Sequence, residues 1–593
     1  MSIKYFVAAD YCVLVIVLLI SSLIGVFFAW KDRKSVNNKD FLVGNRQLQV
    51  FPVTMSMMAS FLSAISMLGL PAESFVHGSQ YYMTVIGCAI AIVLAAEVFL
   101  PVFYDMEMIS VNQYLEKRYG SPFLRKTASV IVVIQMCFYL GVVLYGPSLA
   151  LGSVTGLPVW LSIVVNGVVC TFYTSIGGIK AVVWTDVVQM VLMIIGFLVV
   201  SIKGSQTAGG IGEVYRIAQE QGILEFFDFR FDFQKTFTFW SVVVGSTVIW
   251  TMAFCANQTM IQRYCSIGSM RSARRALYIN LVGISGSLVA ACFCGLVLFA
   301  VYHKCDPVKA SFIVKYDQLM PYFVTDALHH VPGISGLFVA AVYSGSLSTM
   351  SSGYNALAAV TWEDFFKDRM NISPIAVMWV TKGIAAFFGL LTIGLAFLAG
   401  SLSSIMSAAF VTTGSFGGAL GALFFLGLLF PWCGSKTALL SMLTGIGVAA
   451  WIAAGSLLYP ATPVQPRTTL DGCTSNITVR TLPPRVFYTG GIMELYHISY
   501  LWVPVLSFAI PVLLAVSTTL LIGIKNAAPV DPSLIARPLR RIYKKFSGGV
   551  LPSSSAGECK KGDHSNLHDT GHVNLAIVRD DGKETLAAQS TTM

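Results

Sequence analysis

Ten residues, Tyr343 to Ser352, hold five serines and one threonine near one end of a long apolar run. Hydroxyl side chains are poor filler for a helix in lipid, so this density of oxygen atoms points to a ligand. Hard cations take oxygen ligands, and sodium is one. A second run, Ala59 to Ser66, is also rich in small and hydroxyl residues. Together the two suggest a sodium site inside a helical membrane transporter. Chemistry of an enzymatic kind has no comparable foothold. The apolar runs contain no H-E-x-x-H, no G-x-S-x-G and no cluster of Asp or His, and His329 and His330 fall in a loop.

These residues need apolar helices to hold them. The chain has 593 residues, 55% hydrophobic and only 11% charged, with mean hydropathy +0.72, whereas soluble domains carry about 25% charge. Many runs reach the roughly 20 residues that span a bilayer as a helix and are too continuous for barrel strands. The sequence predicts an all-α polytopic protein with about 13 spans, at 11–30, 48–71, 80–105, 127–152, 158–176, 180–203, 239–262, 277–302, 332–360, 375–398, 403–430, 437–458 and 499–524. The net charge of +10 is no nucleic-acid signal, because the basic residues sit in short loops.

Those loops set the orientation. Lys31, Arg33, Lys34 and Lys39 follow the first span, Lys117, Arg118, Arg125 and Lys126 the third, Arg263, Arg271, Arg274 and Arg275 the seventh, and Lys367 and Arg369 the ninth. All fall on one side, which is therefore cytoplasmic. Residues 1–10 are then outside, and a tail, 525–593, is inside and disordered. The first span reads as an anchor rather than a signal peptide, because no basic cluster precedes it and no small-residue cleavage site stands out. The outside loop 459–498 carries the glycosylation sequon Asn476-Ile-Thr478. The sequons at Asn371 and Asn257 are discounted as cytoplasmic and within a span. Cys305 and Cys473 both fall in outside loops, an oxidising compartment, so a disulfide between them is expected. The basic run Arg537 to Lys545 is either ordinary positive-inside charge or a contact for anionic lipid. Thr591-Thr-Met593 offers a PDZ domain a terminal strand to add.

Symmetry locates the site. Residues 48–203 and 239–430 make two sets of five spans with opposite topology, followed by two further spans over 437–524. Inverted repeats place substrate and ion sites at mid-membrane, where helices break. The first helix of each set should be the broken one. Met57 to Ser66 and Gly245 to Gln258 supply the small residues for it, although small residues also serve plain helix packing.

At these residues the chain resembles the sodium/solute symporter family, solute carrier family 5. The resemblance covers about residues 8 to 525. It rests on Lys39-Asp-Phe-Leu-Val-Gly44, Ala59-Ser-Phe-Leu-Ser-Ala64, Phe99-Leu-Pro-Val-Phe-Tyr104, Gly177 to Asp186, Asn257-Gln with Gln262-Arg-Tyr264, Cys305-Asp-Pro307, Asp317 to Tyr322, and Tyr343 to Asp364. It looks most like the branch of sodium-coupled monocarboxylate transporters, the sodium/iodide symporter and the sodium-dependent multivitamin transporter. The resemblance implies a LeuT-like fold of five plus five inverted helices with flanking spans.

The family's sodium site carries over by position. Ser348 and Thr349 would give hydroxyl oxygens and Gly345 a carbonyl, with carbonyls of Ala59 and Leu62 from the break in span two. The bland alternative is hydroxyls bonded to their own helix. Asp186 matches a family acid on the ion exit path; otherwise it pairs with Lys180 near the interface. Phe61, Ser63, Ser66, Val85, Cys88, Tyr139, Trp250 and Phe410 map to the substrate pocket, or, for the aromatics, to interhelix packing. No Lys or Arg falls at mid-membrane, so an anion would depend on sodium, hydroxyls and helix N-terminal dipoles. Val411, Thr413 and Ala419 depart from the branch, which usually has Ser, Phe and Pro there, and Tyr81 to Ala95 is also atypical. The expected activity is plasma-membrane symport of sodium with a small organic anion. No cofactor is called for. A monocarboxylate is the first substrate, with iodide-like anions or a carboxylated vitamin next. A sodium-gated channel or solute sensor is the rival on the same fold.

Overall fold

The computed structural model describes residues 5–31, 46, 48–106, 108–176, 179–400, 404–459, 464–473, 479, 491–523 and 529–546. Seventeen helices are used below: α1 (Ala8–Lys31), α2 (Val50–Phe61), α3 (Leu70–His77), α4 (Thr84–Leu94), α5 (Pro122–Thr155), α6 (Val159–Ile176), α7 (Ile179–Thr207), α8 (Phe239–Cys255), α9 (Gln258–Cys265), α10 (Met270–Tyr302), α11 (Leu319–Leu328), α12 (Ile334–Thr361), α13 (Pro374–Ala399), α14 (Ile405–Leu429), α15 (Ser435–Leu458), α16 (Trp502–Ile522) and α17 (Arg537–Phe546). Short polar signals set their ends. Ser121 and Ser373 cap helices that open on proline, accepting from Leu124 N and Ala376 N. Thr238 and Ser241 form a reciprocal capping box at the start of α8.

Among the described residues nine helices are long and apolar enough to cross a membrane, or eleven if each of two bent pairs is one span. Two shorter apolar helices, Ala8–Ser21 and Val159–Phe172, fall on the remaining expected runs. The bent pairs are Val50–Phe61 with Ile65–His77, at 57°, and Phe239–Cys255 with Gln258–Cys265, at 53°. α12 is the central post. It is buried over 89% of its apolar window and packs on α1, α2, α5, α6 and α7. α16, by contrast, is buried over only 22% and leans on α14 and α15.

Cys305 and Cys473 are joined, with Cα atoms 5.0 Å apart. Backbone bonds run beside the link, Thr469 N to His303 O at 2.8 Å and Gly472 N to Lys304 O at 2.8 Å. The carboxylate of Asp306 accepts from Thr468 Oγ1 at 2.6 Å. The bond closes a loop of 168 residues, so its loss acts on a long span of chain. Cys473→Ser is expected to lower unfolding stability by about 2–5 kcal/mol, read as a depressed melting temperature in detergent. An unchanged melting temperature would show that the surrounding hydrogen bonds suffice.

Two expectations are corrected here. Residues 529–546 of the tail expected to be disordered are folded, with helix over Arg537–Phe546. Val530, Leu534, Ile535, Ala536 and Tyr543 are buried, Ala536 N donates to Leu428 O at 3.1 Å, and Tyr114 Oη donates to Leu534 O at 3.1 Å. A basic composition hid five apolar residues that find a seat beside the end of α14. Arg263 is likewise not a loop residue. It is buried on α9, because the chain turns 53° at Ala256–Asn257 and keeps its helix inside the bundle.

Candidate functional site

The break in the first bent pair exposes backbone oxygen. α2 ends at Phe61, Leu62 leaves helical geometry at φ −79°, ψ 70°, and helix resumes at Ile65. The last carbonyls of a helix lack intrahelical partners. Here Ser60 O accepts from Thr349 Oγ1 at 3.1 Å, and Phe61 O accepts from Ser66 Oγ at 3.1 Å. The carbonyls of Ala59 and Leu62 are the other two of that turn.

α12 meets this turn closely. A Cβ on Gly345 would lie 2.9 Å from Leu62 O, so only glycine allows the approach. Thr349 Oγ1 also reaches Gly345 O, at 3.0 Å, one turn back on its own helix. Ser348 Oγ is fully buried and makes no sound hydrogen bond, although it faces Asp186. A buried hydroxyl without a partner is costly, and a hard cation would satisfy it. The carbonyls of Ser60 and Leu62 thus meet Thr349 and Gly345 of α12, and Ala59 and Ser348 lie on the same two segments; together they make a candidate oxygen cage with the donor chemistry sodium takes. The own-helix alternative holds in part for Thr349 and not for Ser348.

Beneath this cage lies a buried ion pair. Asp186 Oδ2 sits 3.0 Å from Arg263 Nη2 and accepts from Ser56 Oγ at 2.5 Å. Arg263 Nη2 also donates to Ser352 Oγ, which in turn donates to Ser348 O at 2.7 Å. Four elements, α2, α7, α9 and α12, meet there. The partner of Asp186 is therefore Arg263; the side chain of Lys180, the other expected partner, lies outside the described residues.

Beside the cage is a cavity of about 160 Å³. Phe61, Ser63, Ser66, Tyr139, Trp250 and Phe410 all line it, as does Thr349. Phe61 and Trp250 meet edge-on, centroids 5.2 Å apart. Val85 and Cys88 do not line it. A Cβ on Gly87 would lie 2.2 Å from Ser246 Oγ, so α4 lies flush on α8. Cys88 is buried there, and the same span reaches the cavity about two turns earlier, through Tyr81. Sequence reasoning missed Gln135, Asn257 and Tyr81 among the lining residues. A lone amide, Gln135, in an otherwise apolar stretch of α5 was a usable signal. Thr413, noted only as a departure, also lines the cavity with an unpartnered hydroxyl.

α14, which carries Phe410 and Thr413, is fixed at its start by an acid. Asp317 Oδ2 accepts from Ile405 N at 3.1 Å. Burial pushes the Asp317 carboxyl up to about 6, against the Ile405 amide and Lys315, which pull it down. Glu73 is its acidic neighbour across the gap, itself accepting from Ser404 Oγ at 3.0 Å. A carboxyl raised in the folded state binds its proton there more tightly than in the unfolded chain. Its contribution is complete below about pH 4 and lost as pH rises through about 6. Asp317→Asn should remove that fall, worth on the order of 3 kcal/mol, from a plot of melting temperature against pH between about 4 and 6.5. Parallel curves for both proteins would refute the assignment to Asp317.

Comparison with known proteins accords with this geometry. The model of the sodium:solute symporter family matches residues 41–445. The human sodium-coupled monocarboxylate transporter 2 is 40% identical over 549 residues, 92% of this chain and 88% of its own. The human sodium/iodide cotransporter is 38% identical over 457 residues, 77% of this chain and 71% of its own. A solved Na+-coupled sialic acid symporter, in a substrate-bound outward-open state, superposes with TM-score 0.70 at 22% identity, over 87% of this chain and 99% of that one; it speaks to the fold, which is LeuT-like.

Proposed function

Because the chain belongs to the sodium:solute symporter family, a family of sodium-coupled transporters, we propose that it imports a small monocarboxylate together with sodium by alternating access. The observation that carries this reading is Thr349, whose side chain belongs to both the oxygen cage and the cavity wall. Sodium in the cage holds α2 against α12, and that contact completes the wall of the cavity. Solute and ion then favour the same closed state, which is what coupling requires. A cation moving inward gains about 2.3 kcal/mol per 100 mV, and this drives the solute.

The substrate class comes from relatives named for monocarboxylates and suits the cavity. Phe61, Trp250 and Phe410 offer an apolar wall to a short carbon chain. Ser63, Gln135 and Thr413 offer donors to a carboxylate. Residues 48–203 and 239–430 are read as the two inverted repeats, each opened by one bent pair. Ion release runs past Asp186 once its pair with Arg263 parts.

Sodium-dependent uptake, with current, tests the reading in cells expressing the chain. The panel holds lactate, pyruvate, butyrate, nicotinate, iodide, biotin and pantothenate. Sodium-driven accumulation of the monocarboxylates is the expected result. Accumulation of iodide or a vitamin instead would replace the substrate, and sodium current without solute uptake would replace symport by a channel or sensor.

The proposed orientation puts the N-terminus outside and residue 593 in the cytoplasm, with Asn476 in the outside loop though beyond the described residues. Treatment with an N-glycosidase should shift the wild-type band, and Asn476→Gln should abolish the shift. A shift that survives the substitution would move the glycan elsewhere. Thr591-Thr-Met593 is proposed to dock a PDZ domain in the plasma-membrane cortex; a chain ending at 590 should lose that capture.

A further inference from the structure

Between α7 and α8 the chain runs Phe226-Phe-Asp-Phe-Arg-Phe-Asp-Phe233. It has neither helix nor strand, and phenylalanine recurs at every second position from 227 to 233. Phe227, Phe229, Phe231 and Phe233 are 60%, 59%, 66% and 49% exposed. The residue between the first two, Asp228, is buried and neutralised by Arg230 at 2.8 Å and by Lys235. The result is an aromatic ridge backed by paired charge. Single exposed apolar residues are ordinary, but four in a row mark a contact surface.

The ridge does not hang free. Phe239 N donates to Asp228 O at 2.8 Å, Ser499 N to Phe233 O at 2.7 Å, and Trp240 Nε1 to Phe229 O at 3.2 Å. Its rings continue onto the first residues of two spans. Phe229 meets Phe239 at 4.8 Å and Phe233 meets Trp502 at 5.2 Å. Phe239 opens α8 and Trp502 opens α16, and Trp240 beside them is exposed. Aromatic residues at helix ends mark the membrane–water boundary. Phenylalanine has no polar handle, so a row of it favours the acyl side of the headgroups.

We propose that residues 227–233 lie in the lipid–water interface, on the face that carries the disulfide, as a lipid-seated brace. The occupant is lipid, because the ridge is continuous with the exposed Trp240 at the start of the membrane-spanning α8, and the one exposed acid between its rings, Asp232, accepts from the backbone amides of Gln234 and Lys235. The same segment runs on to Phe237, which is buried with its ring 5.1 Å from Tyr81 and 4.9 Å from His77. Tyr81 lines the cavity. The bilayer surface is therefore joined to one wall of the cavity through a dozen residues of chain. This proposal rests on the reading of the chain as a membrane transporter, but its test reads location and not transport.

Spin labels on the full chain in phosphatidylcholine nanodiscs test it, in a background with Cys12, Cys265 and Cys559 replaced by serine. Labels are placed at Phe229→Cys and Phe231→Cys, with Gln234→Cys as the water-facing control. Phe227→Cys and Phe233→Cys form a second pair should the first disturb folding. The expected result is oxygen-dominated relaxation at the ridge positions and relaxation dominated by a water-soluble nickel complex at 234. Nickel-dominated relaxation at the ridge would put it in water and overturn the proposal. Protection from both agents would put protein, not lipid, over it and overturn it equally.

Discussion

Ser348→Ala/Thr349→Ala should abolish sodium-coupled uptake while leaving the protein at the cell surface. Both hydroxyls belong to the cage, and neither fills space that alanine would leave strained. A contact between a hydroxyl and a charged partner is worth about 1.5–3 kcal/mol, so losing two weakens sodium binding by roughly 100-fold or more. At ordinary extracellular sodium the site would then be mostly empty. Thr349→Ala alone also frees Ser60 O, at the edge of the cavity, and should raise the KM for the solute as well as for sodium. Ser348→Ala should act on sodium with little direct effect on solute. Full uptake by the surface-expressed double mutant would mean that sodium binds elsewhere.

The spans and the two broken helices were legible in the chain because they rest on local signals. Apolar length fixes a span, and Ala59-Ser-Phe-Leu-Ser-Ala64 shows where a helix can open. What was not legible depended on distant parts meeting. Arg263 looks like a loop charge until the second bend folds α9 inward. Val85 and Cys88 look like pocket residues until Gly87 brings α4 flush against α8. Residues 530–536 read as polar tail because their seat, at Leu428 and Tyr114, is formed by segments more than 100 positions away.

Arg263→Ala is the second large effect, and it falls on folding. Burying one charge without its partner costs about 3–5 kcal/mol, and Asp186 would remain with only the hydroxyls of Ser56 and Ser348 against its carboxylate. Mature protein at the surface should drop sharply. Asp186→Asn/Arg263→Gln removes both charges and should recover much of the surface protein, since two neutral amides can bond each other and Ser352. Transport by the double mutant should stay low, because the cage then loses the charged floor below Ser348. The measurement is surface biotinylation of the single and double mutants, paired with uptake per molecule. Normal surface levels for Arg263→Ala would show that the pair is dispensable for folding. Recovery of full transport in the double mutant would remove the pair from the ion's route.

Thr349 also bears on economy. A cell keeps sodium far from equilibrium by constant pumping, and any carrier that let the ion slip through alone would drain that store. In the proposed reading the Thr349 hydroxyl serves both the wall of the cavity and the edge of the cage, so that ion and solute would each be held less well without the other. Leakage is thus opposed by shared parts, without a separate gate having to sense whether cargo is aboard.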